Sequence, residues 1–343
     1  MKKLIALLLA LTLTLALCAC AASAEQATDA PAKGKGLKKG VLSLLNMTEE
    51  EYLAKSKGRM IALQYLVEQG VYHSVRDLSN APEMSGIIFY DTLNAMLMGL
   101  EAGEISSAEV PQCVADYLFA HNDKLTTRGT FDLNNADDFT KQVAYRLGVG
   151  FSFMTTEDRA ALRDEIDQAL TEMKDDGTLD TLIQTYITDA VNGEPEPVEF
   201  TQTDGETVKV AVTGALPPMD YVAADGTPAG FNTAILAELG VRLNKNFELV
   251  VVDSVGRATA LASGQVDLVF WTNGSDGRDL GGRQTVEEHA EYLNNVFSDS
   301  QREMMKSIGG GVSYKKTQIK DIPDGTITTQ PYFSDLLIPV TMK

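Results

Sequence analysis

The sequence predicts an α/β fold, and its pattern of strands and helices supports this prediction. Three short apolar runs typical of β-strands occur at residues 208–213, 247–252 and 266–271. A helix at residues 230–243 and a second short helix ended by Gly264 separate them. The middle run has the composition of a strand that is buried on both faces. Such alternation forms parallel βαβ units, whose ligands bind at the carboxyl ends of the strands.

The same stretch resembles a known family. Four ordered segments resemble the first lobe of the bacterial family-3 extracellular solute-binding proteins: Val-Ala-Val (210–212), Pro-Pro-Met-Asp-Tyr (217–221), Asp-Gly-Thr-Pro-Ala-Gly-Phe-Asn (225–232) and Ala-Leu-Ala-Ser-Gly-Gln-Val-Asp-Leu-Val (260–269). The resemblance implies a two-lobed periplasmic-binding-protein type 2 fold, in which hinge strands join the lobes. It also implies that the lobes close on an amino acid or similar polar solute and deliver it to an ABC importer permease.

Length and composition limit the function. A chain of 343 residues has room for two or three domains, and 44% of its residues are hydrophobic. Its formal net charge of −19 argues against nucleic-acid binding, because a phosphate backbone requires a basic surface. After the N-terminal segment only Cys113 remains, so we expect the core, and not disulfides, to stabilise the fold.

Residues 1–24 have the pattern of a signal peptide. Two lysines precede an apolar run at residues 4–17, and small residues follow as far as Ala24. Residues 17–20 (Leu-Cys-Ala-Cys) resemble a lipobox, which implies an exported protein that Cys20 anchors to the extracellular or periplasmic face of the cell membrane. Cleavage after Ala24 without lipidation is the alternative. A polar tether is predicted at residues 25–36.

Residues 37–147 are predicted to form lobe two. A strand at residues 41–45 leads into a helix whose N-terminus has the capping box Thr48 and Glu51. Free N–H groups at a helix N-terminus can hold a carboxylate, so Asn46 and Thr48 are candidate ligand-binding residues. The alternative is that Thr48 only caps the helix.

Further along lobe two, a strand at residues 86–90 precedes a helix that Asp91 is predicted to cap. A short extended piece at residues 108–110 then leads into a helix with Val-Ala-Asp-Tyr-Leu at 114–118. This order resembles the second lobe of the family. An Asp of the family commonly meets the amino group of the ligand near this position, and Glu109 is the nearest acidic residue here.

Residues 148–190 are predicted to contain a hinge strand and the closing helices of lobe one. Within them, residues 162–179 resemble the C-terminal helix pair of the family. Pro and Glu residues indicate a linker at 191–206. Lobe one is then predicted at residues 207–343, with a polar insertion at residues 279–324.

The order of these parts is rotated relative to the family. The helix pair that ends family members precedes lobe one in this chain. Residues 327–342 resemble the crossing strand that normally leaves lobe one and enters lobe two. The sequence therefore predicts a circular permutant. Two incomplete copies in tandem are the alternative, although the two halves contain no duplicated segment.

The resemblance assigns ligand-binding residues to the loops of lobe one. Met219 stands where the family packs an aromatic ring on the ligand, and Tyr221 follows in the same loop. Asn232 begins the next helix, and Trp271 and Thr272 end the third strand. The alternatives are a packed loop residue for Tyr221, a helix cap for Asn232 and a core position for Trp271.

Arg278 is the nearest match to the arginine with which the family binds a ligand carboxylate. It follows Thr272 at a wider spacing than the Thr-x-x-Arg of the family. The predicted clamp is an ion pair between Arg278 and a ligand carboxylate, with Thr48 at its helix N-terminus.

The sequence does not predict an enzyme. His73, His121 and His289 are scattered, and the motifs of serine hydrolases, zinc proteases and phosphate loops do not occur. We therefore expect a solute-binding protein without cofactor or metal, whose partners are a small solute, an importer permease and, through its anchor, the membrane. The alternative is an extracellular sensory or partner-binding module that keeps the fold without transport.

Overall fold

The structure is a computed structural model that describes residues 37–43, 49–75, 78, 84–193, 197–254, 256–274, 286–308 and 324–343. Leu37–Lys343 forms one compact unit. The predicted signal peptide, Cys20 and the tether lie outside the described residues. Within the described ranges, no helix is both long enough and apolar enough to cross a bilayer.

The chain as far as Val191 alternates strands and helices. Its strands are β1 (Leu37–Leu42), β2 (Tyr72–Ser74), β3 (Met84–Tyr90), β4 (Ser107–Pro111), β5 (Leu125–Thr127), β6 (Gly129–Phe131) and β7 (Gly148–Thr156). Its helices are α1 (Glu49–Glu68), α2 (Leu93–Glu101), α3 (Gln112–His121), α4 (Asp138–Tyr145), α5 (Ala160–Asp175) and α6 (Thr178–Ile183). Short helical turns occupy Glu157–Arg159, Gln184–Thr188 and Asp189–Val191.

The remainder of the chain continues this alternation. Its strands are β8 (Thr207–Val212), β9 (Ala215–Leu216), β10 (Asp220–Val222), β11 (Pro228–Ala229), β12 (Asn246–Val251), β13 (Leu268–Gly274), β14 (Thr326–Thr328) and β15 (Phe333–Met342). Its helices are α7 (Phe231–Leu243), α8 (Gly256–Ala262), α9 (Val286–Val296) and α10 (Asp299–Ile308). The loop predicted after the first strand of lobe one contains β9, β10 and β11, which pair in a small sheet of their own.

One large mixed sheet runs through the unit. Its strand order is β12-β8-β13-β7-β15-β4-β1-β3, with β14 beside β7 and β5 beside β15. Strands β12, β8 and β13 are parallel, and we call them, with helices α5 to α8, the C-terminal half. Strands β4, β1 and β3 are also parallel, and with helices α1 to α4 they form the N-terminal half.

Strands β7 and β15 join the two halves. They are antiparallel to each other, and β15 pairs with β7 through residues 333–336 and with β4 through residues 337–340. The predicted α/β fold, with long strands between two parallel groups, is confirmed. The permuted lobe order and the domain boundaries stay predictions.

The middle apolar run of the sequence forms β12, which is not buried on both faces. Phe247 is its one buried residue, and Val251 is 67% exposed. The prediction was wrong because β12 is the edge strand of the large sheet. Apolar composition alone does not distinguish an edge strand from a central one.

The insertion at residues 279–324 was assigned to lobe one from the sequence. Its described helices pack on the N-terminal half. Helix α10 contacts α1 and α4, and Ile308 belongs to the apolar cluster of those helices. The ring of Phe297 lies 5.8 Å from that of Phe139 in α4. A Cβ at Gly58 of α1 would overlap the Ile308 carbonyl, so a glycine permits the close approach. Position along the chain therefore did not reveal the packing partner of these helices.

Candidate functional site

The carboxyl ends of the parallel strands in both halves meet at a narrow crevice. Its lining includes Leu42, Asp91 and Leu93 of the N-terminal half and Thr213, Leu216 and Ser254 of the C-terminal half. Open α/β sheets bind ligands at this position. The volume that a water-sized sphere can occupy in the crevice is about 10 Å³, which is about what one water requires, whereas small-molecule sites have volumes of roughly 300–1,000 Å³. In this closed arrangement the crevice is therefore too small for most solutes.

Direct contacts close the two halves on each other. Ser254 Oγ donates a hydrogen bond of 2.7 Å to the backbone carbonyl of Asp91, whose carboxylate accepts one of 3.2 Å from Ser43. Near the centre of the interface, Cys113 Sγ of α3 lies 3.7 Å from Met219 Sδ. Separation of the halves must break the Ser254 and Cys113 contacts.

Met219 and Tyr221 differ in their surroundings. Met219 is fully buried between the halves. Tyr221 is partly exposed in β10, where its backbone pairs with Ala215 and Ala229. The structure therefore places Met219 at the interface, while the predicted contact of either residue with a ligand stays a prediction.

A wider groove begins at Cys113. It lies between α3, the helical turns at residues 184–191 and the start of β15, and it encloses about 1370 Å³ including open solvent. Helix α3 belongs to the N-terminal half, and the turns follow α6 of the C-terminal half. Both halves thus supply its walls.

Two acidic side chains line this groove. Asp335 is 9% exposed, and its carboxylate accepts hydrogen bonds from the Cys113 N–H (2.7 Å), in the first turn of α3, and the Leu336 N–H (2.8 Å). Burial raises the pKa of Asp335 to about 6, although these hydrogen bonds oppose the shift. Asp116, one turn further along α3, also has its pKa raised by burial.

Among the residues that the structure describes, the groove lining contains no compensating cation. Its lining residues include no Lys, Arg or His. Within the described part of the chain, no cationic side chain forms an ion pair with Asp116 or Asp335. Burial and the neighbouring Asp335 raise the pKa of the Cys113 thiol well above its ordinary value, so this thiol stays neutral. The groove is therefore electrostatically negative at neutral pH.

A buried hydrogen-bond network connects Tyr332, which directly precedes β15, with the loop at the crevice. The Tyr332 hydroxyl donates to Asn232 Oδ1 (2.8 Å), and Asn232 Nδ2 donates to Asp220 Oδ1 (3.3 Å). Asp220 Oδ2 accepts from the N–H and hydroxyl of Thr213 and from the Gly214 N–H. Burial raises the pKa of Asp220. The Asn232 side chain thus links Asp220 of the crevice loop to Tyr332.

Replacing Tyr332 with Phe is expected to lower the free energy of unfolding by about 1–2 kcal/mol, because it leaves the buried Asn232 Oδ1 without its donor. Urea denaturation at pH 7.5 measures the change. In a double-mutant cycle with Asn232→Ala, the two costs should not add. Additive costs would contradict a direct role for this hydrogen bond.

Trp271 and Thr272 point away from solvent. Trp271 is 3% exposed in an apolar cluster with residues such as Leu261, and the Arg257 guanidinium lies 5.4 Å from its ring. Thr272 is 2% exposed and pairs with Phe151 of β7. The structure thus places Trp271 in the core, the alternative that the sequence left open.

Glu109 lies in a buried cluster of charges. Its two carboxylate oxygens contact Lys39 Nζ at 2.8 Å and Arg59 Nη2 at 2.7 Å, and it is 1% exposed. Arg59 also donates to the backbone carbonyls of Leu147 and Leu337. Glu109 therefore connects α1, β1 and β4, and both of its oxygens already have cationic partners.

The predicted carboxylate clamp cannot be placed, because Asn46, Thr48 and Arg278 lie outside the described residues. Sequence reasoning missed Asp335 and Asp116 as groove residues. A charged residue within an apolar strand was the available signal for Asp335. In the described ranges, no group of three or more His, Cys, Asp or Glu residues could hold a metal ion.

Comparison with known proteins identifies one segment of the chain. Residues 208–276 match the model of the bacterial extracellular solute-binding proteins, family 3, which confirms the predicted resemblance for this segment. The matched segment contains β8, β12, β13 and the loops that line the crevice from the C-terminal half. A search of curated proteins finds no match.

Several solved structures show a weak likeness to this chain. The ligand binding component of an ABC-type import system from Staphylococcus aureus, with zinc bound, has 8% identity and a TM-score of 0.33 over 90% of this chain and 66% of that chain. The PBP AgaA from A. tumefacien R10, in complex with agropinic acid, has 10% identity and a TM-score of 0.34 over 80% of this chain and 60% of that chain. The B. pertussis BvgS periplasmic domain has 15% identity and a TM-score of 0.32 over 90% of this chain and 37% of that chain. The chain thus spans less than two thirds of each, and scores of this size carry no conclusion about ligand or partner.

Proposed function

We propose that the protein is an extracytoplasmic solute-binding protein that captures a small polar solute between its two halves and delivers it to an ABC importer. The family match at residues 208–276 carries this proposal. The matched family is one of binding proteins, which supports binding and not catalysis as the activity.

The geometry supports closure around a solute. The crevice and the groove both have walls from the two halves, and β7 and β15 run between these halves. In proteins of this architecture, domains rotate about a few connecting residues while each domain keeps its own packing. Such a rotation would break the Ser254 to Asp91 hydrogen bond and enlarge the crevice.

An amino acid or similar polar solute is the proposed cargo, and an importer permease is the proposed partner. A lipid anchor at Cys20 would keep the protein at the membrane surface where the permease lies. Arg278 and Thr48 remain the proposed clamp for a solute carboxylate, because a guanidinium binds a carboxylate through two parallel hydrogen bonds.

Thermal unfolding of the protein from Glu25 onward tests this function with a panel of amino acids, polyamines and small carboxylates. A solute at about a hundredfold excess over its Kd should raise the free energy of unfolding by about 2.7 kcal/mol, which produces a visible shift in Tm. One clear shift would support solute binding and name the chemical class. A panel without any shift would contradict the proposal.

A further inference from the structure

We propose that the groove between α3 and the helical turns at residues 184–191 binds the cationic head of the solute, and that the solute is an organic ammonium ion with an apolar body. The inference rests on the proposed solute-binding function and adds the substrate class.

The charge of the groove favours a cation. Asp116 and Asp335 line it, and the lining residues in the described part of the chain include no Lys, Arg or His. Burial of a carboxylate without a positive partner is unfavourable. An ammonium group between the two side chains would supply the missing charge and form charge-assisted hydrogen bonds.

The other walls of the groove suit an apolar body. Phe119 of α3, Ile187 and Val191 of the helical turns, and Phe333 of β15 lie along it. Burial of apolar surface against these side chains favours binding. An aromatic ring near an ammonium group adds a cation–π attraction when the group lies over its face.

The groove is much larger than the crevice. The volume that a water-sized sphere can occupy is about 760 Å³ in the groove and about 10 Å³ in the crevice. In this closed arrangement, the groove has room for a solute with an apolar body and the crevice does not. Since its walls come from both halves, a solute in the groove would also hold the halves together.

Isothermal titration calorimetry at pH 7.5 tests the inference with three probes of matched shape. They are phenethylamine, its neutral analogue phenethyl alcohol and the anion 3-phenylpropionate. We expect phenethylamine to bind about tenfold or more tightly than either analogue, because the alcohol has no positive charge to offset the two carboxylates and the anion adds a further negative charge. Equal binding of phenethylamine and phenethyl alcohol would overturn the inference.

Variants locate the site. Asp335→Asn and Asp116→Asn should each weaken phenethylamine binding by about tenfold or more. Asp123 is an exposed carboxylate just beyond α3. Asp123→Asn is therefore the matched control and should leave the Kd of phenethylamine unchanged. If Asp335→Asn does not fold, Asp116→Asn carries the test by itself. An unchanged Kd in the folded groove variants would overturn the inference.

Hydrogen exchange provides a second readout that does not depend on substitution. Phenethylamine should increase amide protection in Gln112–His121 and Gln184–Thr188, which form the walls of the groove. Protection confined to other elements would overturn the inference.

The outcomes separate the two proposals. If amino acids or carboxylates raise the Tm while phenethylamine does not bind, the solute-binding function stands and the ammonium subsite is wrong. If neither the panel nor phenethylamine binds, both are wrong.

Discussion

Replacing Glu109 with Gln is expected to lower the free energy of unfolding by about 3–5 kcal/mol, because removal of one partner leaves buried charges uncompensated. Glu109 is 1% exposed and contacts both Lys39 and Arg59. Burial lowers the pKa of Arg59 to about 10, so this side chain remains charged at neutral pH. Glutamine keeps the size of the side chain and removes its charge. Urea denaturation at pH 7.5 measures the loss.

The matched control is Glu101→Gln, which changes an exposed carboxylate at the end of α2. Its cost should stay within about 0.5 kcal/mol, as for most surface substitutions. A similarly small cost for Glu109→Gln would contradict the structural role of the cluster. The same variant also tests the predicted ligand role, since a purely structural Glu109 predicts that folded Glu109→Gln keeps its solute affinity.

Replacing Asp335 with Asn is expected to change the pH dependence of stability. Burial raises the pKa of Asp335 from 3.8 to about 6 in the folded protein. The ionised carboxylate is therefore less favourable in the folded than in the unfolded chain, by about 3 kcal/mol for a shift of about two units. This cost is fully present above pH 6 and disappears as the pH falls below the unfolded value.

The Asn side chain removes that cost and retains one acceptor, at the expense of about 1 kcal/mol for the second hydrogen bond. We therefore expect Asp335→Asn to be more stable than the parent by about 2 kcal/mol at pH 7.5, and slightly less stable at pH 4. Urea denaturation across this range gives the difference. Asp116 and the Cys113 thiol are the titratable neighbours of Asp335, and both the parent protein and the Asp335→Asn variant retain them.

The exposed Asp123→Asn variant serves as the control and should show no such pH dependence relative to the parent. A difference between Asp335→Asn and the parent that is constant with pH would contradict the raised pKa. A gain in stability together with a loss of phenethylamine binding would show that the groove trades stability for recognition.

Local patterns predicted the elements whose signals are contained in a few adjacent residues. Strand β8 and helix α7 follow from a β-branched run and from apolar residues at helical spacing, and both occur close to their expected places. The helix cap was predicted less exactly: Thr92, and not Asp91, caps α2, and its Oγ1 accepts a hydrogen bond from the Ala95 N–H. Adjacent polar residues compete for such positions, and the sequence alone does not rank them.

The candidate site was less predictable because it depends on contacts between distant residues. Asp335 caps α3 through Cys113, which lies 222 positions away in the chain. Likewise, the sequence showed Glu109 near a ligand position, but not the two cations that surround it. No local pattern indicates which residue of one half will face a given residue of the other.

The packing of α10 on α1 and α4 has a consequence for cooperativity. The core of the N-terminal half includes Ile308, although most of its residues precede Leu147. Its sheet also includes residues 337–340 of β15, which pair with β4. The N-terminal half is thus completed by segments from the other end of the chain, so it does not correspond to one continuous stretch. Folding of the N-terminal half therefore requires residues that the chain contributes only after the C-terminal half, so the folding of the two halves is coupled.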